Sequence, residues 1–157
     1  RMEEATRKAK VRCGDRLWHR MGDLGRIDDE GRLWFCGRVI EKVRTRDGTE
    51  FYPECCEQVF NRHPKVYRSA LIGIGPSKNR TPGIVVQPVE GEYPKEEEEI
   101  NRWVLELKEL GKQTEMTRPI RHFFFRKSFP VDVRHNAKIH RLALAKDYTV
   151  HGLHPTE

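Results

Sequence analysis

The feature that most constrains the fold is a hairpin signal followed directly by a helix start. Asp47-Gly48 separates two β-rich segments, residues 41–46 and 49–52, and Asp-Gly is among the strongest short signals for a hairpin turn. Pro53 comes next, and proline is favoured in the first turn of a helix. Apolar residues then recur at helical spacing (i, i+3, i+4) until the next proline. The chain is therefore predicted to mix α and β structure from this point onward.

The elements that follow alternate between strand and helix. Apolar and aromatic runs predict strands at residues 66–74, 83–89 and 120–126. An apolar stripe at helical spacing, followed by glycine, predicts a helix at residues 95–110, and a last helix is predicted at residues 139–148. The predicted fold class is α+β: a β-hairpin plus a three-stranded sheet flanked by helices.

This α+β unit is predicted to begin near Arg38. The residues before it do not obviously belong to it, although residues 17–24 and 25–36 have the composition of strands. Because the sequence starts in the middle of a pattern, we expect the chain to be a piece of a longer protein.

The charge is unevenly distributed. The formal net charge is +6, and residues 118–146 contain eight Lys or Arg against the single acid Asp132. Such a stretch suits a polyphosphate, a nucleic acid, a membrane surface or an acidic partner, and it also suits an ordinary solvated face. A small basic binding module is therefore one functional hypothesis.

The cysteines and the hydropathy suggest a compartment. None of the four cysteines forms a CxxC pair, which favours reduced thiols and a cytoplasmic location over a metal site or a disulfide framework. No apolar run approaches the ~20 residues of a membrane span, so no transmembrane segment is expected.

Three short motifs carry possible chemistry. Gly22-Asp23 combines close backbone approach with a carboxylate that can bind a vicinal diol, or it is a turn with an Asp cap. Arg38 can fork onto phosphate or ribose oxygens, or it is a surface arginine. The polar loop at residues 130–138 ends in Lys138 and is either a functional loop or a solvated one.

Taken in order, these motifs resemble the C-terminal motifs of the adenylate-forming superfamily, which includes acyl-CoA synthetases, luciferases and non-ribosomal peptide adenylation domains. The matching segments are WHRMGD at residues 18–23, residues 30–38 ending in Gly-Arg, the Pro-Glu-x-x-Glu helix start at residues 53–57, and the Pro-to-Lys-Ile loop at residues 130–139. The resemblance covers nearly the whole chain. It implies the small C-terminal lid domain of these enzymes.

The sequences of two segments, residues 18–23 and 129–139, are similar to those of the olefin β-lactone synthetase branch. This resemblance implies ATP-dependent activation of a long-chain 3-hydroxy fatty acid as acyl-AMP, followed by closure to a β-lactone. A long-chain fatty acyl-CoA or acyl-AMP ligase is the alternative within the superfamily.

The resemblance also implies residue roles. Asp23 matches the aspartate that holds the ribose hydroxyls of ATP, and Arg38 matches an arginine that contacts the nucleotide. Lys138 matches the catalytic lysine, whose fixed ammonium offsets the repulsion between the substrate carboxylate and the α-phosphate. Mg²⁺ is expected with ATP for the same electrostatic reason, and no metal ligand is predicted in the chain itself.

The implied domain boundary lies at the matched arginine. Residues 1–37 are expected to be terminal strands of a large N-terminal adenylation domain that the chain lacks, and residues 38–157 are expected to be the lid, with a hinge at residues 38–40. Ile40 stands where the hinge residue is usually Asp or Lys, and Met21 stands where most members have Thr.

The implied partners are a fatty acid substrate and the missing N-terminal domain, with other olefin-pathway enzymes as further candidates. Nucleic acid is not an expected partner, because the sequence contains no helix-turn-helix, RNA-binding aromatic motif or zinc site.

Overall fold

We describe the protein from a computed structural model. The described residues are 4, 9–76, 79–131 and 138–150. In these ranges the strands are β1 Lys10–Cys13, β2 Arg16–His19, β3 Asp23–Ile27, β4 Leu33–Arg38, β5 Val43–Arg44, β6 Glu50–Phe51, β7 Val66–Ile74, β8 Thr81–Pro88 and β9 His122–Phe125. The α-helices are α1 Pro53–Phe60, α2 Glu97–Gly111 and α3 Arg141–Val150, and a 3-10 turn at Val39–Glu41, here called the hinge turn, follows β4.

The larger sheet has the order β7-β8-β9. β7 and β8 pair antiparallel, whereas β9 pairs parallel to β8 with Phe124 opposite Val85. The parallel pairing requires a crossover, and α2 lies in the connection between β8 and β9. The predicted α+β fold, with its hairpin, three-stranded sheet and flanking helices, is confirmed.

The core lies on both faces of this sheet because side chains alternate along each strand. On one face Leu71 and Ile84 pack with Phe60 and Trp103 of the helices α1 and α2. On the other face the buried residues are Ala70, Ile72, Ile74, Val85, Phe124, Phe129, Ile139, Leu144 and Tyr148. Burying one large apolar side chain contributes about 1.5–3 kcal/mol, so both layers hold residues 43–148 together.

The strands before the hinge turn pair differently from the prediction. Instead of two strands at residues 17–24 and 25–36, there are two separate antiparallel hairpins, β1-β2 and β3-β4. The turn at residues 20–22 interrupts the first predicted strand. The second predicted strand begins two residues after the observed start of β3, which runs from Asp23 to Ile27. The turn at Asp28 then follows β3.

Polar contacts order the β3-β4 turn. Asp28 accepts hydrogen bonds from Trp34 Nε1 at 2.7 Å and from Arg32 Nε at 2.7 Å. These bonds lower the pKa of the Asp28 carboxyl from 3.8 to about 2, with the Trp34 bond as the largest cause. Local hydrogen bonds, rather than a buried core, therefore hold this hairpin in shape.

The last helix starts two residues later than predicted, at Arg141. Its inward side chain is Leu144, which is fully buried, whereas Leu142 is 39% exposed although its position was predicted to face inward. Within the described ranges, none of the helices has the length and apolar content that a membrane crossing requires.

Candidate functional site

Asp23 and Arg38, which the sequence separates by 15 positions, lie opposite each other on β3 and β4. Arg38 Nη1 donates to Asp23 Oδ1 at 2.7 Å and to the carbonyl of Met21 at 2.8 Å. Both side chains are more than one-third exposed, so the pair itself contributes at most about 1 kcal/mol to stability. The two predicted nucleotide-binding residues are thus adjacent and open to solvent.

Two glycines shape the backbone around this pair. Gly22 has a φ of +77°, which favours glycine, and its carbonyl accepts a hydrogen bond from the amide of Val39 at 2.9 Å. Gly37 has a φ of +114°, and a Cβ there would lie 3.1 Å from Cδ of Pro53. The end of β4 can therefore lie against the start of α1 only without a side chain at residue 37.

Lys138 is exposed and directly precedes the last helix. The loop end that carries it is fixed: Ile139 is buried and pairs with Val131, and the amide of His140 donates to the carbonyl of Pro130 at 2.9 Å. Within the described ranges, Lys138 forms no ion pair. The rest of the predicted loop, residues 132–137 with Asn136-Ala137, lies outside the described residues.

A cavity of about 180 Å³ brings Lys138 and Arg38 to one space. It is lined by Phe35, Gly37, Arg38, Glu41, Glu54, Lys138, Ile139 and Arg141. Complete sites for small molecules usually occupy roughly 300–1,000 Å³. The volume of this Lys138 cavity is therefore too small to enclose a nucleotide. The cavity could form only one part of a larger site.

Sequence reasoning assigned no role to the side chains of Arg141 and Glu57, which form the most buried ion pair described here. Arg141 Nε and Nη2 contact the two carboxylate oxygens of Glu57 at 2.7 and 2.6 Å. Arg141 Nη1 also contacts Glu41, and Nη2 contacts Glu54, each at 3.1 Å. We call these four residues the Arg141 cluster.

Burial and charge act against each other in the cluster. Burial alone would lower the pKa of Arg141, but the hydrogen bonds and negative charge of Glu57 raise it above its usual value. Burial raises the pKa of Glu57, and the hydrogen bonds from Arg141 offset part of that effect. The only sequence signal for this cluster was the Pro-Glu-x-x-Glu helix start, which contains Glu54 and Glu57.

The described residues do not form a magnesium site of their own. Within the described ranges, no three His, Cys, Asp or Glu side chains converge to hold a metal ion. The Asp23 carboxylate is already paired with Arg38. We therefore derive no step through Mg²⁺ from this chain.

Comparison with known proteins gives consistent matches. The sequence is 43% identical over 148 residues to the olefin β-lactone synthetase of Xanthomonas campestris pv. campestris, covering 91% of this chain and 26% of that protein. It is 39% identical over 150 residues to the olefin β-lactone synthetase of Stenotrophomonas maltophilia, covering 90% and 26%. No model of a known protein family matches the sequence.

Comparison with solved structures agrees with these sequence matches. ATP-bound MatB from Rhodopseudomonas palustris superposes with a TM-score of 0.68 at 25% identity, covering 94% of this chain and 27% of that chain. The chain belongs to the adenylate-forming superfamily. The resemblance inferred from the motifs is thereby confirmed for this chain, which spans 26% of the length of the two olefin β-lactone synthetases. The roles of Asp23, Arg38 and Lys138 stay predictions.

Proposed function

We propose that the chain is the C-terminal part of an ATP-dependent enzyme that activates a long-chain 3-hydroxy fatty acid as acyl-AMP and closes it to a β-lactone. The observation that carries the proposal is the geometry around the Lys138 cavity. An exposed ammonium faces the same space as Arg38, and Arg38 is bonded to Asp23. The two similar proteins named olefin β-lactone synthetase supply the reaction class.

Lys138 is the proposed catalytic residue. In the first step a carboxylate oxygen of the fatty acid attacks the α-phosphorus of ATP, and the bond to pyrophosphate breaks. Two anionic groups must approach each other, so a cation fixed between them lowers the barrier. In the second step the 3-hydroxyl oxygen attacks the acyl carbonyl and AMP leaves.

Asp23 and Arg38 are the proposed nucleotide-binding residues. A carboxylate has two oxygens, and in the described part of the chain hydrogen bonds reach only Oδ1 of Asp23. Its Oδ2 is therefore available to a ribose hydroxyl. Arg38 uses only Nη1 in the contacts described, which leaves two further nitrogens for the nucleotide.

Residues 1–37 are proposed to be the terminal strands of a large N-terminal domain, and residues 38–157 the lid. Support comes from the exposed apolar residues of the first two hairpins. Their exposed large side chains are Leu17, Trp18, Met21, Ile27, Leu33, Trp34 and Phe35. Large apolar side chains left exposed in this number favour contact with another protein surface. The missing N-terminal domain is the partner we propose.

The basic module is the weaker hypothesis because two of the eight positive charges of residues 118–146 are already paired with carboxylates. Arg141 is buried among carboxylates, and Arg126 pairs with Asp147. We therefore do not propose nucleic acid as a partner. Because the four cysteines are free thiols, we propose a cytoplasmic location.

Replacement of Lys138 tests the proposal in the complete enzyme that carries this chain. We expect Lys138→Ala to reduce ATP–pyrophosphate exchange with a 3-hydroxy fatty acid by about 100-fold or more, as loss of a main electrostatic stabiliser does. Lys146→Ala is the matched control, since Lys146 is also exposed but lies outside the Lys138 cavity. Unchanged exchange in Lys138→Ala would refute the catalytic role.

Product analysis separates the two reactions within the superfamily. We expect the wild-type enzyme to release a β-lactone and AMP whether or not CoA is present. A CoA thioester that forms only with CoA would instead identify an acyl-CoA ligase, and accumulation of acyl-AMP alone would identify an acyl-AMP ligase.

A further inference from the structure

The Arg141 cluster joins two parts of the chain that the proposed reaction requires to act together. Arg141 is the first residue of α3 and lies three positions after Lys138. Glu41 is the last residue of the hinge turn and lies three positions after Arg38. The side chains of Glu41 and Arg141 are 11% and 10% exposed, and their contact is 3.1 Å long.

The Arg141 guanidinium is firmly anchored on its other side. Glu57 binds it through both carboxylate oxygens, and Glu57 Oε1 also accepts the amide of Leu71 at 2.8 Å. Glu57 is thereby tied to β7, an edge strand of the larger sheet. A buried guanidinium with this many partners cannot shift without leaving a charge unpaired, which is costly.

Glu54 and Glu41 are not equivalent partners, although both contact Arg141 at 3.1 Å. Glu54 lies on α1, which Glu57 already binds to Arg141. Glu41 makes the only ion pair, among the residues that the structure describes, between the hinge turn and Arg141. Loss of Glu54 removes a redundant contact, whereas loss of Glu41 disconnects the hinge turn from the loop end that carries Lys138.

We propose that Glu41 and Arg141 are positioning residues that hold Lys138 at a fixed place relative to the hinge turn. This inference rests on the proposed function of Lys138. Glu41 and Arg141 act through the lysine and do not touch the reacting atoms. In a rotation of the lid about residues 38–40, this ion pair would make Glu41 and the lysine move as one body.

The test compares Glu41→Gln with Asp147→Asn in the complete enzyme, because Asp147 also pairs with an arginine but lies outside the Lys138 cavity. A misplacement of about 1 Å can cost about 100-fold in rate. We therefore expect Glu41→Gln to lower kcat for acyl-AMP formation by about 10- to 100-fold with little change in KM for ATP. Asp147→Asn should keep kcat within about twofold, since it loses only a partly exposed pair with Arg126.

Equal kcat values for the two variants would overturn the inference, whether both are reduced or both are normal. Wild type and Lys138→Ala serve as references in the same assay. If Lys138→Ala is fully active, the proposed function fails, and a second measurement still tests the coupling. Exchange of the His140 amide proton, followed by NMR in the 157-residue chain, should be faster in Glu41→Gln than in Asp147→Asn. The same rate in both would overturn the coupling by itself.

Discussion

The strands before and after the hinge turn have similar aromatic and aliphatic content, yet they bury it very differently. On β4, Leu33 and Phe35 are 76% and 54% exposed, whereas on β7 the side chains of Leu71 and Ile72 are each 1% exposed. The later strands carry helices on both faces. The earlier ones form two-stranded hairpins, which are marginal in water without another surface. The difference indicates that the region after the hinge turn holds its own core, whereas the earlier region leaves most of its large apolar side chains exposed.

The largest expected effect compares two phenylalanines on either side of this divide. We expect Phe60→Ala to lower the free energy of unfolding of the chain by about 3–5 kcal/mol, because Phe60 is fully buried. Phe35→Ala removes the same atoms from an exposed position and should cost less than about 1 kcal/mol. Urea denaturation followed by circular dichroism measures both. Similar losses would show that the hairpins share the core after all.

A smaller effect compares the ion pairs of the two regions. Glu57→Gln removes a buried carboxylate with charge-assisted hydrogen bonds and is expected to lower the free energy of unfolding by about 2–3 kcal/mol. Asp23→Asn disrupts the half-exposed pair with Arg38 and is expected to cost less than about 1 kcal/mol. Equal costs in urea denaturation would mean that burial does not distinguish the two pairs.

The smallest effect is a pH dependence confined to the β3-β4 hairpin. The pKa of Asp28 falls from 3.8 to about 2 on folding, so its contribution is complete above 3.8 and is lost as the pH falls through about 2. We expect the Asp28 carboxyl carbon to titrate near 2 by NMR, with the Trp34 indole proton shifting in parallel. In Asp28→Asn the Trp34 shift should disappear. A midpoint near 3.8 would mean that this hairpin is not ordered in solution.

Much of the fold is readable from local patterns. The Asp47-Gly48 turn, the helix start at Pro53 and the aromatic strand at residues 122–125 were predicted because turn chemistry and side-chain periodicity act over a few residues. The strand bounds before the hinge turn were predicted incorrectly. Residues 28–31 carry a turn signal, Asp-Asp-Glu-Gly, but composition does not show where the paired strands on either side of it begin and end.

The site was only partly predictable for the same reason. Motifs identified Asp23, Arg38 and Lys138, and all three lie in or beside one cavity. The Arg141 cluster joins residues 41 and 141, and no local pattern links positions that far apart. Glu57 belongs to the Pro-Glu-x-x-Glu helix start that the motifs identified, but only the folded chain identifies its partner.

The absence of a side chain at residue 37 has a practical consequence. Gly37 faces the Pro53 ring across a gap that would leave an added methyl group 3.1 Å away. Any larger residue there would press the end of β4 away from the start of α1. Because the φ of +114° is also one that L side chains rarely adopt, a substitution at residue 37 is expected to strain the backbone at the junction of the two regions without altering a single charge.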